Sequence, residues 1–421
     1  MPTADTRPFV KRPSFIFSLA AITALTATAV DVSLPAHPMI GRGFGTTAEA
    51  AGVIVSSYFI GYGGGQLLWG PLADRYGRMA PLYWGLLGFL ITSILCATAN
   101  DLETLSVYRA IQGIFGGSGP VISRAIARDQ GGGKATANLL ATIMMIFGAA
   151  PLLAPLVGSG ILLVAGWRVI FWFLVLFAIA LMLLSYFYIA PSRKSHSKSA
   201  AVRRPLSWGI LRELFTTKDF LMAAGASTFL FFGYSAMLGV GAAMTERTYG
   251  LSPQGFGMLF AVAASAVIIG PAVTKRIIKT GDLRTPLKLG AAIAGAAGIM
   301  FIYLSAFPSS LWVLWPTVFC YVLAFGIMMP ITNAVALEKA GHVAGTASSI
   351  LSSIPTIGAA FGAAISSSVD GPNGPGVFTD GYQSLTQMMA LGGIATCVIV
   401  FAFGMGPKKS KAPDDTSEEA A

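Results

Sequence analysis

The stretch "GPLADRYGR", Gly70–Arg78, lies between two apolar runs that read "GYGGGQLLW" and "MAPLYWGLLGFL". It gathers an Asp and two Arg into a short gap of a chain that is 54% hydrophobic and 11% charged. Soluble domains average about 25% charged residues, and the mean hydropathy here is +0.70. A run of about 20 apolar residues is long enough to cross a hydrocarbon core of about 30 Å. The polar gap is therefore read as a loop between two membrane spans. The same alternation of long apolar run and short polar gap recurs along all 421 residues.

Twelve spans are expected. The first six lie at roughly 14–36, 48–70, 79–99, 102–124, 136–163 and 167–190. The second six lie at roughly 221–245, 252–276, 286–306, 311–335, 344–369 and 381–405. Between the sets runs the basic, Ser-rich segment "PSRKSHSKSAAVRRPLSWGILRELFTTKD". Gly70-Pro71 closes span 2 and Gly270-Pro271 closes span 8, each before a basic loop, a faint sign of internal duplication. The expected fold is an all-α polytopic membrane protein, with twelve transmembrane helices in two pseudo-symmetric six-helix bundles. Residues 1–190 form the N-terminal bundle, 191–220 a cytoplasmic linker, 221–405 the C-terminal bundle and 406–421 a cytoplasmic tail.

Orientation follows from the basic residues. With the N-terminus in the cytoplasm, 24 of the 28 Lys and Arg fall in cytoplasmic segments. Arg42, Arg168 and Arg247 fall in outer loops, and Arg109 lies inside a span. That bias places both termini in the cytoplasm and favours an even number of spans. It also accounts for the net charge of +10 without a nucleic-acid partner. The basic start, Arg7, Lys11 and Arg12, resembles a signal peptide, but the apolar run that follows is too long for an h-region and is read as a retained first span.

Other chemistries are poorly supported. Cys96, Cys320 and Cys397 sit singly in apolar runs, without metal-ligand spacing or a disulfide framework. His37, His196 and His342 are scattered over loops and span ends. No phosphate loop or nucleophile–base pair is evident, so neither an enzyme, a metal site nor a cofactor is expected. The partners expected are a small-molecule substrate, protons and the lipid bilayer, with a single chain sufficient.

Ionisable residues within spans are few, and a charge at membrane depth costs at least about 2.5 kcal/mol. Asp31 in span 1 and Arg109 in span 4 each lie roughly 8–10 Å below the outer edge at 1.5 Å rise per residue. Asp31 is read as a proton-binding carboxylate tuned by Arg109, with a static ion pair or a snorkelling Asp31 as the alternatives. In span 4, Arg109, Gln112, Gly113, Gly116 and Gly117 share a helical face. The glycines permit close helix packing, and Gln112 suits either a cavity ligand or a neighbouring helix. In span 5, Gly148, Pro151, Pro155 and Gly158 form one stripe, suited to a bent helix at a moving interface or simply to a Pro-kinked packing helix. Tyr58, Gln66, Tyr234 and Asn333, with Gln112, are substrate-cavity candidates.

Taken with their positions, these motifs resemble the major facilitator superfamily. "GPLADRYGR" is similar to its loop between spans 2 and 3 through Gly70, Asp74, Arg75, Gly77 and Arg78, with Met79 where a basic residue is usual. "RAIQG" resembles the span 4 motif of proton-coupled members through Arg109, Gln112 and Gly113. The span 5 stripe is similar to the antiporter motif, with Ala154 and Ser159 where Gly is common. "DVSLPAHPMI", "GWRVIFWFL" and "GHVAGTASSI" resemble the Bcr/CflA group of drug exporters. The resemblance implies drug:proton antiport by alternating access across a bacterial inner membrane, with Asp31 and Arg109 at the proton site. Export or import of one natural metabolite on the same fold is the alternative. Asp74 is then expected to form a cytoplasmic gate by accepting hydrogen bonds from a helix N-terminus of the opposite bundle.

Overall fold

The computed structural model describes residues 12–130, 133–190, 208–279, 284–337, 344–370 and 376–403. Residues 191–207 of the expected linker, the expected tail, His196 and His342 lie outside them. Among the described residues the chain is helical throughout, apart from one isolated bridge between Val369 and Phe378.

In chain order the N-terminal half contains α1 (Pro13–Thr23), α2 (Leu25–Asp31), α3 (His37–Gly43), α4 (Val53–Tyr76), α5 (Met79–Ala97), α6 (Leu102–Gly116), α7 (Ser118–Asp129), α8 (Gly133–Phe147), α9 (Ala150–Val164) and α10 (Arg168–Leu184). A π-helical turn, Ser185–Ile189, extends α10. The C-terminal half contains α11 (Trp208–Thr216), α12 (Lys218–Tyr249), α13 (Pro253–Ile278), α14 (Arg284–Ala306), α15 (Leu311–Leu337), α16 (Ala344–Ser366) and α17 (Gly381–Phe403). Every expected span has helix on it. By length and apolar composition, nine described helical segments can cross a membrane unaided, or ten with the bent pair Pro13–Thr23 and Leu25–Gly43 taken as one span. The expected spans outside that set are α4 and the pair α6–α7. These are the runs diluted by glycine and by Gln66, Arg109 and Gln112.

The helices differ from their expected bounds where breakers act. Span 1 bends by 49° after Thr23 and continues to Gly43, through a 3-10 turn at Leu34–Ala36 set by Pro35. Span 4 divides at Gly117 and span 5 between Phe147 and Ala150. Span 2 does not end at Gly70-Pro71. Pro71 lies inside α4, and Pro271 likewise inside α13. Neighbouring helices and local adjustments accommodate the missing donor in a membrane bundle. α4 stops instead at Gly77, whose φ of 79° suits a residue without Cβ. The start of α6 is capped by Asp101, which accepts the Thr104 backbone N–H at 2.7 Å. That hydrogen bond holds the Asp101 carboxyl below its ordinary range.

Packing separates lipid-facing from protein-facing surfaces. On α10, Ile170, Phe171, Leu174, Ala178 and Leu181 are buried, whereas Trp172, Leu176, Ile179 and Leu183 are exposed. A helix apolar on all sides is suited to lipid on its outer face. The two halves meet chiefly where α4 packs against α16, α9 against α13, and α12 against the 3-10 turn and α3.

Candidate functional site

Asp31 closes α2, where the chain turns into the Pro35 segment, and it is only 5% exposed. Tyr234 of α12, from the other half, lies within its electrostatic reach. Tyr234 is also buried.

Arg109 on α6 is wholly buried, but no ion pair joins it to Asp31. Its Nη1 donates to Gln112 Oε1 at 2.6 Å and to the Ala29 carbonyl at 3.3 Å. Its guanidinium lies over the Tyr58 ring at 4.5 Å and nearer the edge of reach of Phe171 at 5.9 Å. Nε and Nη2 have no hydrogen-bond partner. The reason is geometric. Asp31 lies within electrostatic reach of Tyr234 on α12, while Arg109 on α6 bonds to the α2 backbone. Arg109 therefore reaches span 1 through Ala29, two residues before Asp31, and not through the carboxylate. Gln112 in turn donates to Ser93 Oγ on α5 at 2.7 Å. Tyr58 donates to Thr26 Oγ1 at 3.4 Å, and Thr26 donates to the Gly116 carbonyl at 3.2 Å.

Of the expected cavity residues, Tyr58 and Gln112 thus belong to a buried network within the N-terminal half. Gln66 spans the seam instead, donating to Thr356 Oγ1 of α16 at 3.2 Å. Asn333 donates to its own helix at the Met329 carbonyl, 2.9 Å away. Tyr234 is part of an aromatic bridge between the halves. Phe59 of α4 meets Phe231 of α12 edge-on at 5.5 Å, Phe231 meets Phe325 of α15 at 5.4 Å, and Tyr234 stacks on Phe325 at 4.8 Å.

The span 5 stripe faces two partners. Pro151 starts α9 in its first turn, so the first Pro marks a break and only Pro155 lies within the helix. A Cβ at Gly158 would collide with the Val32 carbonyl, just past Asp31, and one at Gly148 would touch Ile268 of α13. Gln254 of α13 donates to the Ser159 carbonyl at 3.1 Å.

At the polar ends, Arg78 joins two carboxylates. Its Nη1 donates to Asp74 at 2.5 Å and its Nε to Asp129 at 2.7 Å. Those hydrogen bonds and charges raise the hold of Arg78 on its proton against the cost of partial burial. Arg75 lies over the Tyr76 ring. Gly70 sits within α4 with open space at its Cβ position, so of the two glycines only Gly77 forms the turn. The opposite end is bridged between halves by Arg42–Glu246 at 2.6 Å and Arg247–Glu49 at 3.4 Å. Among the described residues no group of three His, Cys, Asp or Glu converges as a metal set.

The sequence matches the Major Facilitator Superfamily over residues 18–363. The chain belongs to that superfamily. It is therefore a multi-pass membrane protein of a transporter family and not an enzyme. It is 27% identical over 381 residues to a bicyclomycin resistance protein homolog of Haemophilus influenzae, covering 89% of this chain and 94% of that one. It is 28% identical over 346 residues to a chloramphenicol resistance protein of Pseudomonas aeruginosa, covering 80% and 79%. Its fold is similar to that of a D-xylose–proton symporter, with TM-score 0.70 at 14% identity over 92% of this chain and 96% of that one.

For this superfamily member, several residues at the site escape a reading of the sequence. Ser93, Thr26 and Phe231 are ordinary occupants of apolar runs, and only the rotation of their helices brings them to Arg109, Tyr58 and Phe59. Asp129 was within reach, because it follows span 4 beside Arg128, close in topology to the loop carrying Arg78.

Proposed function

We propose that this chain exports small hydrophobic compounds across a bacterial inner membrane in exchange for protons, by alternating access between a bundle of residues 1–190 and one of 221–405. Both termini lie in the cytoplasm on this reading. The Arg78 end then faces the cytoplasm and the Glu49 end faces outward. The observation that carries the reading is Asp31, a buried carboxylate within electrostatic reach of Tyr234 of the other half and, among the described residues, without an ion-pair partner. A lone carboxylate at that depth is costly, and a proton removes the charge. The names of the two resistance-protein relatives support drug-like compounds as substrates.

In this cycle Asp31 takes a proton while the seam is open to the acidic outer side and releases it inward as substrate binds. Arg109 positions the α2 backbone that carries Asp31, and the Phe59, Phe231, Tyr234 and Phe325 rings offer apolar faces to substrate. Gly148, Pro151, Pro155 and Gly158 allow α9 to move against its neighbours. Expression in a pump-deficient strain should raise growth on a panel of hydrophobic antibiotics. A protonophore and Asp31→Asn should each abolish the gain. Unchanged growth with altered export or uptake of one metabolite would favour the single-substrate alternative, and full proton-driven transport by Asp31→Asn would remove Asp31 from the mechanism.

A further inference from the structure

His37 is a buried ionisable side chain that the cycle above does not use. It opens α3, six residues beyond Asp31, and has no exposure to solvent. Its Nδ1 lies 3.1 Å from the Gly239 carbonyl of α12, in the other half. A carbonyl only accepts, so Nδ1 carries the hydrogen and donates it. Nε2 is then the bare nitrogen, and it is buried with no partner. Gly52 also presses on Gly239: a Cβ there would collide with the same carbonyl. His37 and Gly52 of one half thus meet α12 of the other at the same backbone oxygen.

The surroundings suit a neutral ring. Protonation would add an N–H at Nε2, where no acceptor lies. The charge within electrostatic reach of the ring is the Arg109 cation on α6. On its own span the ionisable groups are Asp31 and Arg42, six residues inward and five outward. On α12 they are Tyr234, five residues inward of Gly239, Glu246, Arg247 and Tyr249, seven, eight and ten outward, and Lys218 and Asp219 at its far end. Glu246 is engaged by Arg42, and Glu49, beside the 3-10 turn Ala50–Gly52, by Arg247. α9 has no ionisable side chain, and α13 has Lys275 and Arg276 only in its last turn. The closed contact therefore accepts imidazole and has nothing to offer imidazolium.

We propose that His37 is a second proton-binding residue of this transporter, and that a proton on Nε2 holds the halves apart at the Glu49 end. When the seam parts, Nε2 meets water and takes a proton from the medium. The halves close again only after that proton has returned to the medium, because closure buries the ring. Acid on that side thus favours the state open to it, the state in which Asp31 is to be loaded. The assignment rests on the proton-driven reading for its purpose, not for its geometry.

The test uses full-length protein in proteoliposomes. Spin labels are placed at Thr46→Cys and Thr248→Cys, with Cys96, Cys320 and Cys397 replaced by Ala. Between about pH 8 and about pH 5, the range over which histidine titrates, the distance distribution should shift toward longer separations. His37→Gln keeps a donor for the Gly239 carbonyl and cannot take the proton, so it should lose that shift while retaining the short distance. Asp31→Asn should keep the shift. An unchanged pH response in His37→Gln, or no response in the parent protein, would overturn the proposal. Loss of the shift in Asp31→Asn would also overturn it, by making Asp31 the sensor. Transport that ignores the proton gradient, with a His37-dependent shift intact, would instead retain the gate and remove proton drive.

Discussion

A guanidinium with no exposure needs its charge met, and around Arg109 no carboxylate does so. Ring faces from Tyr58 and Phe171 and oxygens from Gln112 and Ala29 surround it instead. A desolvated cation–π contact contributes about 2 kcal/mol, and a hydrogen bond to a charged group about 1.5–3 kcal/mol. Gln112→Leu removes the shorter of the two Arg109 bonds and leaves Ser93 without its donor. It should lower stability by about 2–3 kcal/mol, seen as a lower thermal unfolding midpoint of detergent-purified protein. An unchanged midpoint would mean that the rings and Ala29 suffice. Asp31 and Arg109 were legible in the sequence because a charge inside an apolar run stands out. Their relation was not, since a shared depth leaves open which way each helix is turned, and here Arg109 meets the backbone beside Asp31.

At the scale of the element, α9 shows what spacing conveys and what it omits. The stripe Gly148, Pro151, Pro155, Gly158 announces a smooth, interrupted helix, and the break between α8 and α9 falls beside it. Its partners are not announced: the Val32 carbonyl on one side and α13 on the other. Gly158→Ala would drive a methyl group into Val32 O, and overpacking of that kind costs about 1–3 kcal/mol. Transport should fall sharply with the protein still in the membrane, whereas Gly160→Ala, which meets open space, should transport normally. Equal rates in the two would show that α9 has room to spare. The Gly-Pro pairs mislead at this scale. A proline at an apolar-to-polar boundary reads as an exit, yet α4 and α13 pass through theirs, because the bundle accommodates one missing donor.

Across the whole molecule both ends carry ion pairs. At one end Arg78 joins Asp74 and Asp129 within one half; at the other, Arg42–Glu246, Arg247–Glu49 and His37–Gly239 tie one half to the other. An exposed ion pair such as Arg42–Glu246 contributes about 0–1 kcal/mol, so its effect belongs to the balance between open and closed states more than to the stability of the fold. Asp74→Asn weakens the hold on Arg78. It should slow transport in vesicles while leaving membrane insertion and equilibrium substrate binding near the parent values, and normal turnover would refute a gate there. The sequence by itself determined which stretches are helical and which few polar residues lie deep, because hydrophobic period acts over a turn or two. Only the tertiary structure decided the partnerships. His37 and Gly239 are 202 residues apart, and Gln66 and Thr356 are 290 apart. Contacts of that kind depend on how distant helices cross and rotate against one another, which no local pattern encodes.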